Sequence, residues 1–462
     1  MERRVNDRTR LVVIGGDAGG MSAASQARRR CGPDDLEIVA LERGDHTSYS
    51  ACGIPYLVGG TVPSADELIA RDPATFIRDH AIDVRTGTEA TDVDLDRRVV
   101  RTVDAQGAER EERFDRLMIA TGAVPIRPDW PGSDAEGIFG VQTLADGIRV
   151  REYVDERRPR RAVVVGGGYI GLEMAEAFLE RGMRVDLVEA APEPMGTLDP
   201  DMGRLVREAV CAMGVEFHPG AKVTGFETAG GRVSAVVTEQ AVHEADIVVL
   251  GMGVRPDSDL ARRAGLRIGP TGGIAVDRRM RTSASDVWAA GDCVETFHRV
   301  SRAPVAIALG THANKQGRVA GTNIGGGYAH FAGVVGTAIT KICGLEVSRT
   351  GLNEKEAQRA GFEFETVTVE STTRAGYYPG ATTMCLKLLA ERRTGRLLGG
   401  QIVGRENAGK RVDVLATALW NDMSVEEVSG MDLGYAPPFS PVWDPVLIAA
   451  RKLSEKTEAS PG

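Results

Sequence analysis

No run among the 462 residues approaches the roughly 20 consecutive apolar positions that a membrane-spanning helix needs, so no membrane association is expected. Residues 1–10 are charged and no apolar core follows them, which gives no sign of a secretion signal. Cysteine is scarce. The six lie at 31, 52, 211, 293, 343 and 385, too scattered for a disulfide framework or a zinc-ligand cluster, so a reducing cytoplasm is the expected setting and no metal ligand is assigned. Positive charge is not in excess either: a net charge of −9 argues against a nucleic-acid surface. Lysine is absent before Lys222, and the basic residues divide into 48 Arg and 8 Lys. That division reads as codon bias, so arginine-rich spots are given little functional weight. The length predicts two or three domains.

Glycine is plentiful, at 56 residues, and its placement carries the first functional signal. The apolar run 10–14 leads directly into Gly15-Gly16-Asp17-Ala18-Gly19-Gly20 and then a helical 21–28, which is strand, tight turn and helix. A second apolar strand over 36–41 ends in Glu42, an acid placed to accept the hydroxyls of an adenosine ribose. Asp17 replaces the second glycine of the G-x-G-x-x-G pattern. The pattern then recurs in full. Residues 161–165 precede Gly166-Gly167-Gly168-Tyr169-Ile170-Gly171, a helix follows over 172–181, and the strand 185–188 ends in Glu189. Each half closes with an apolar strand running into Gly and Pro, through Gly122 to Pro125 and through Gly253 to Pro256, so the chain repeats one nucleotide-binding unit. After Glu189 come Ala190 and Ala191, with no Arg for a 2′-phosphate, which favours NADH, with NADPH possible.

The stretch 48–60, Ser-Tyr-Ser-Ala-Cys-Gly-Ile-Pro-Tyr-Leu-Val-Gly-Gly, holds the expected chemistry. Cys52 precedes a short apolar run opened by Gly53 and Pro55, as at a helix start, where the thiol pKa should fall. Further along, 282–292 reads as a strand ending in Gly291-Asp292, and 310–318 as the opening of a helix. From Phe331 the pattern changes to short β-rich segments with helices between them, such as 411–421. That is a further domain without nucleotide signals.

Together Gly15 to Gly20, Glu42, Ala120-Thr121-Gly122, Gly166 to Gly171, Gly291-Asp292 and the C-terminal domain make the chain resemble the pyridine nucleotide-disulfide oxidoreductases over nearly its whole length. The resemblance implies an α/β fold of two Rossmann-like dinucleotide-binding domains, for FAD and NAD, plus an α+β dimerisation domain. The implied division is 1–149 and 272–330 for FAD, 150–271 for NAD(P)H, 331–452 for dimerisation and 453–462 as a flexible tail. It places Gly15, Gly20, Glu42, Arg43, Ser48, Thr121, Gly122 and Asp292 at FAD. Gly166, Gly168, Gly171, Glu189 and Gly253 fall at the second nucleotide, with Tyr169 and Glu173 beside the nicotinamide.

Most members of the family carry a redox pair spaced C-x4-C, and here the fifth residue after Cys52 is Leu57, so the chain is similar to the single-cysteine branch of CoA-disulfide reductase, NADH oxidase and NADH peroxidase. Oxidase and peroxidase members place His in the first glycine turn, where this chain has Ala18. Gln26 and Arg29 match positions that contact CoA. Tyr435, and Tyr377 or Tyr378, match tyrosines that the partner subunit of a homodimer brings to the substrate sulfur. The matches depart at Ala51, often Asn before the cysteine, and at His80, where a CoA-contacting Lys can stand.

The resemblance implies that electrons pass from NAD(P)H through FAD to Cys52, whose thiolate attacks a small-molecule disulfide such as CoA disulfide, with a tyrosine supplying the proton. Ser48 is expected near the sulfur, His312 in a structural or flavin-edge role, and the other five cysteines in buried structural ones. Two alternatives remain open. Cys52 could cycle as a sulfenate or persulfide in an NADH oxidase or polysulfide reductase, or the protein could be an NADH-sensing flavoprotein read by a partner.

Overall fold

The computed structural model describes residues 8–458. Its organising element is a five-stranded parallel sheet in the order Val287–Ala289, Arg116–Ile119, Thr9–Ile14, Leu36–Leu41 and Asp83–Arg85. Leu11, Val12, Val13 and Ile14 are all buried, as expected where a parallel sheet is covered on both faces. The helices Ala18–Arg30 and Gly310–Ile324 pack closely on each other. Their approach depends on small residues: a Cβ on Gly317 would lie 2.3 Å from the Gly19 carbonyl oxygen, and one on Gly321 2.3 Å from that of Ala23. An antiparallel meander of Thr88–Asp94, Val99–Asp104 and Glu109–Arg113 is appended.

The second unit repeats this plan. Its parallel sheet runs Glu216–Pro219, Arg184–Glu189, Arg161–Val165, Ile247–Leu250 and Ile138–Gly140, with a meander of Val223–Ala229, Arg232–Thr238 and Val242–Glu244. The fifth strands are exchanged along the chain, one lying before its unit and the other after it. Ile138–Gly140 therefore belongs to the second sheet and not to the segment 1–149 in which the sequence placed it, because it pairs with Ile247–Leu250. The expected strand over 282–292 contracts to Val287–Ala289. The two Gly-x-x-Pro segments meet directly: Ala123–Pro125 and Val254–Pro256 pair antiparallel and join the repeats at their equivalent points.

The C-terminal region is a five-stranded antiparallel sheet in the order Ala338–Ile342, Leu345–Gly351, Leu397–Gly404, Thr383–Glu391 and Phe364–Thr372, with the helices Val412–Trp420 and Pro445–Glu458 packed on it. The last helix overturns most of the expected tail, since Lys452 to Glu458 continue it and Leu453 is buried in the core; residues 459–462 lie outside the described residues. A buried lysine fixes this sheet to the second unit. Lys387 Nζ lies 3.2 Å from Asp199, 2.8 Å from Asp201 and 2.6 Å from Glu354, and Asp199 also accepts from Gln401 Nε2 at 2.6 Å. No described helix is long and apolar enough to cross a membrane.

Candidate active site

The two glycine turns are built alike. Gly15 and Gly166 have φ of 106° and 100°, in the left-handed region that glycine tolerates. A Cβ on Gly20 would lie 1.9 Å from the Gly15 carbonyl oxygen, and one on Gly171 1.9 Å from that of Gly166. These two glycines therefore serve by letting each helix close onto its turn. The acids repeat as well. Glu42 accepts from the amides of Gly16 at 2.8 Å and Gly44 at 2.7 Å, and Glu189 from those of Gly167 at 2.6 Å and Ala191 at 2.8 Å. Each carboxylate thus ties the end of the second strand to the turn after the first.

The turns differ at the helix N-cap. Gly168 leaves open space, its nearest neighbour to a Cβ being 3.9 Å away, whereas the first turn presents the Asp17 carboxyl. Asp17 Oδ1 is buried without a hydrogen-bond partner, and the carboxyl is pushed up to about 6 by burial and then by Glu42. Asp292 is likewise pushed up to about 6 by burial. Sequence reasoning had recorded Asp17 only as a blemish in the fingerprint.

Asp17 and Asp292 border a cavity of about 1120 Å³ that also contains Gly15, Glu42, Arg43, Ser48, Cys52, Thr121 and Gly122. Gln26 and Arg29 lie on the same wall, so most first-turn residues expected at FAD and both expected at CoA share one space with the cysteine. Arg71, Arg263, Asn314 and Arg318 line it too and carried no signal in the sequence. Arg43 faces Asp257 at 4.0 Å, and Thr121 Oγ1 donates to the Asp257 carbonyl at 2.5 Å. Gln26 Nε2 donates to Thr322 Oγ1 at 3.1 Å.

Cys52 sits in a 3-10 turn, Ala51–Gly53, immediately before the short helix Ile54–Gly59. The loop before it is pinned by its backbone: the Ser48 amide donates to the Gly16 carbonyl at 3.2 Å and the Ser48 carbonyl accepts from Ala70 at 2.9 Å. The expected fall in thiol pKa is overturned. Cys52 is exposed to the cavity as a residue, yet the protein packed around its sulfur pushes the thiol up, and Glu173, one helix away, adds to it. Burial also raises Glu173, which accepts from Thr340 Oγ1 at 2.6 Å. The Tyr169 hydroxyl is buried beside the second turn, and burial raises it. Gly253, with φ of 88°, holds the junction between repeats, its carbonyl accepting from Ile126 at 3.0 Å.

The three tyrosines do not reach this cavity within one chain. Tyr377 and Tyr435 lie beside each other on the C-terminal domain, and Tyr377 raises the Tyr435 phenol. Both are exposed, as is Tyr378. Of the other cysteines, Cys293 is buried and pushed up to about 11 by burial, as its structural assignment requires. Cys31 and Cys385 are half-buried. Cys211 and Cys343 are exposed, against expectation, because they occupy a helix end and a turn. Burial pushes His312 down to about 4.

Comparison with known proteins supplies the family. A profile described as pyridine nucleotide-disulphide oxidoreductase matches residues 9–317, and its dimerisation-domain counterpart matches 337–445. The chain belongs to this family. It is 38% identical to the NAD(P)H sulfur oxidoreductase (CoA-dependent) of Pyrococcus abyssi, over 98% of this chain and 99% of that one. The structure of an NAD-dependent persulfide reductase from A. fulgidus matches with a TM-score of 0.94 and 40% identity, covering 98% of this chain and 84% of that one. Reduced CoADR-RHD from Bacillus anthracis matches with a TM-score of 0.94 and 34% identity, covering 99% and 82%. This protein is thus an NAD(P)H-dependent flavoprotein oxidoreductase with a C-terminal dimerisation domain. Its cavity suits FAD: the volume exceeds the roughly 300–1,000 Å³ typical of small-ligand sites, Asp17 Oδ1 is buried without a partner, and a Cβ on Gly122 or Gly310 would meet nothing within 4 Å.

Proposed function

We propose that this protein reduces the S–S bond of a CoA-linked substrate, CoA disulfide or a CoA persulfide, through Cys52 alone. The observation that carries the reading is the continuity of the cavity from Glu42 and Asp292, past Cys52, to Gln26 and Arg29. FAD, when bound, supplies a two-electron relay between the nicotinamide and sulfur. Glu42, Arg43, Thr121, Gly122 and Asp292 would hold it. Burial and Glu42 already push the Asp17 carboxyl up to about 6, and a phosphate set beside it would push it further toward the neutral form. The second turn, with Glu189 followed in the chain by Ala190 and Ala191 and not by an Arg, would take NADH in preference to NADPH. Tyr169 and Glu173 would border its nicotinamide.

The Cys52 thiolate attacks one sulfur of the substrate, forming Cys52–S–S–R and expelling the other half as a thiolate. The departing sulfur takes a proton, which a phenol can supply at similar acidity. Tyr435 of the partner subunit, with Tyr377 of the partner subunit or Tyr378 of the partner subunit, would give it. Two electrons and one proton then split the mixed disulfide into RSH and the Cys52 thiolate. The sum is RSSR + NADH + H⁺ → 2 RSH + NAD⁺.

Similarity to the Pyrococcus abyssi sulfur oxidoreductase and the A. fulgidus persulfide reductase supports a second reading, in which the S–S bond belongs to a sulfur chain. Anaerobic NADH oxidation measured with CoA disulfide, CoA persulfide and inorganic polysulfide, with an oxygenated control, separates the readings. Arg29→Ala is expected to raise KM about tenfold for the CoA substrates, the scale of one lost charged hydrogen bond, and to leave polysulfide unchanged. An unaltered KM for the CoA substrates, or oxygen as the best acceptor, would defeat the proposal.

A further inference from the structure

The fold gathers a donor set that the sequence, with no metal ligand assigned, did not reveal. Asp186 lies on Arg184–Glu189, His218 on the neighbouring strand Glu216–Pro219 and His243 on Val242–Glu244 of the adjoining meander. In the parallel register Asp186 stands opposite Glu216 and Val188 opposite His218, so Asp186 and His218 share one face of the sheet. One ligand atom from each of the three residues lies within 4.8 Å of the others. His218 Nε2 is 2.6 Å from Asp186 Oδ1, His243 Nδ1 is 3.9 Å from the same oxygen, and the two imidazole rings are 4.3 Å apart.

We propose that Asp186, His218 and His243 bind one divalent transition-metal ion of the zinc type. Two imidazole nitrogens and one carboxylate suit zinc, cobalt or nickel, and they are too few and too nitrogen-rich for magnesium or calcium. A tetrahedral ion with bonds of about 2.0–2.1 Å sets its ligand atoms roughly 3.3 Å apart. Reaching that geometry needs a small opening of the 2.6 Å contact and a small closing of the 3.9 Å one. Asp186 and His218 are partly exposed, which leaves a path for the ion and a fourth position for water.

His243 is 9% exposed, and the nitrogen it turns to the site is Nδ1, 3.9 Å from Asp186 Oδ1; its Nε2 is buried with no hydrogen-bond partner. The chain has seven histidines, and two of them meet here against one aspartate. None of the three borders the Cys52 cavity. The ion would therefore act as a staple between the parallel sheet and its meander, on the strand that ends in Glu189.

The test is zinc uptake by the FAD-loaded protein after its accessible thiols are alkylated with iodoacetamide, so that Cys52, Cys211 and Cys343 cannot take the metal. Equilibrium dialysis against zinc chloride should give one equivalent per chain in the parent, and Asp186→Asn and His243→Gln should each lose that equivalent while keeping their flavin spectrum. Cobalt in the parent gives a readout independent of any variant's folding: an intense ligand-field band of low coordination is expected. No zinc bound by the parent, equal zinc in parent and variants, or only the weak band of hydrated cobalt would overturn the site.

Discussion

A thiol just ahead of a helix is expected to ionise easily, yet Cys52 is shifted the other way. Desolvation first and the neighbouring Glu173 second decide this: the helix Ile54–Gly59 has only six residues, and the two together outweigh its dipole. In FAD-free protein the rate of Cys52 alkylation by iodoacetamide should still be climbing at pH 9.0, the ordinary thiol value used as reference. The sign follows from deprotonation: a raised pKa delays the thiolate to higher pH, and Glu173→Gln, by removing a negative neighbour, should bring the midpoint down. A rate that levels off below pH 8 would contradict this account of the sulfur, on the usual thiol scale of about 8.5. Glu173 was legible in the sequence only as a nicotinamide neighbour. Its effect on Cys52 depends on how the second unit leans on the first, which no local pattern records.

Among the elements, the glycine turns could be read from the chain because their geometry is local. Strand, turn, helix and terminal acid follow one another without interruption from Thr9 to Glu42 and from Arg161 to Glu189, and the structure reproduces the arrangement twice down to the amide bonds on Glu42 and Glu189. Of the exchanged strands, Val287–Ala289 was legible but read too long, and Ile138–Gly140 was not seen at all, because three residues carry no period and their pairing is fixed by distant partners. Of the arginines on the cavity wall only Arg29 was singled out in the chain; Arg71, Arg263 and Arg318 were missed for a related reason, since with 48 in the chain none of them stands out until the fold selects it. The repeat also makes a separable prediction. Gly171→Ala, with its Cβ 1.9 Å from a carbonyl oxygen, should weaken NADH binding at least tenfold in a fluorescence titration while the flavin content stays whole; Gly20→Ala should do the reverse and yield protein depleted of flavin. Equal loss of both cofactors in either variant would show that the two turns do not act separately.

For the molecule as a whole, loops of the C-terminal domain carry an exposed aromatic and apolar group: Tyr377 is 77% exposed, Phe439 69%, Val442 67% and Trp443 55%. Such a surface on a dimerisation domain is expected to be covered by a second copy. If the tyrosines act across that interface, an inactive Cys52→Ser chain and an inactive Tyr377→Phe/Tyr435→Phe chain should complement each other. Unfolded and refolded together at equal amounts, they form mixed dimers with one intact site, and about a quarter of full activity should return by random pairing. No recovery would place the tyrosines outside the reaction or within their own subunit's site.

The central claim is that one sulfur carries the electrons to substrate. Single-turnover mixing of NADH-reduced protein with CoA disulfide, followed both by flavin absorbance and by CoA thiol released, tests it most directly. In Cys52→Ser the flavin should still be reduced by NADH at close to the parent rate and no thiol should appear. Release of CoA thiol by that variant would contradict the account.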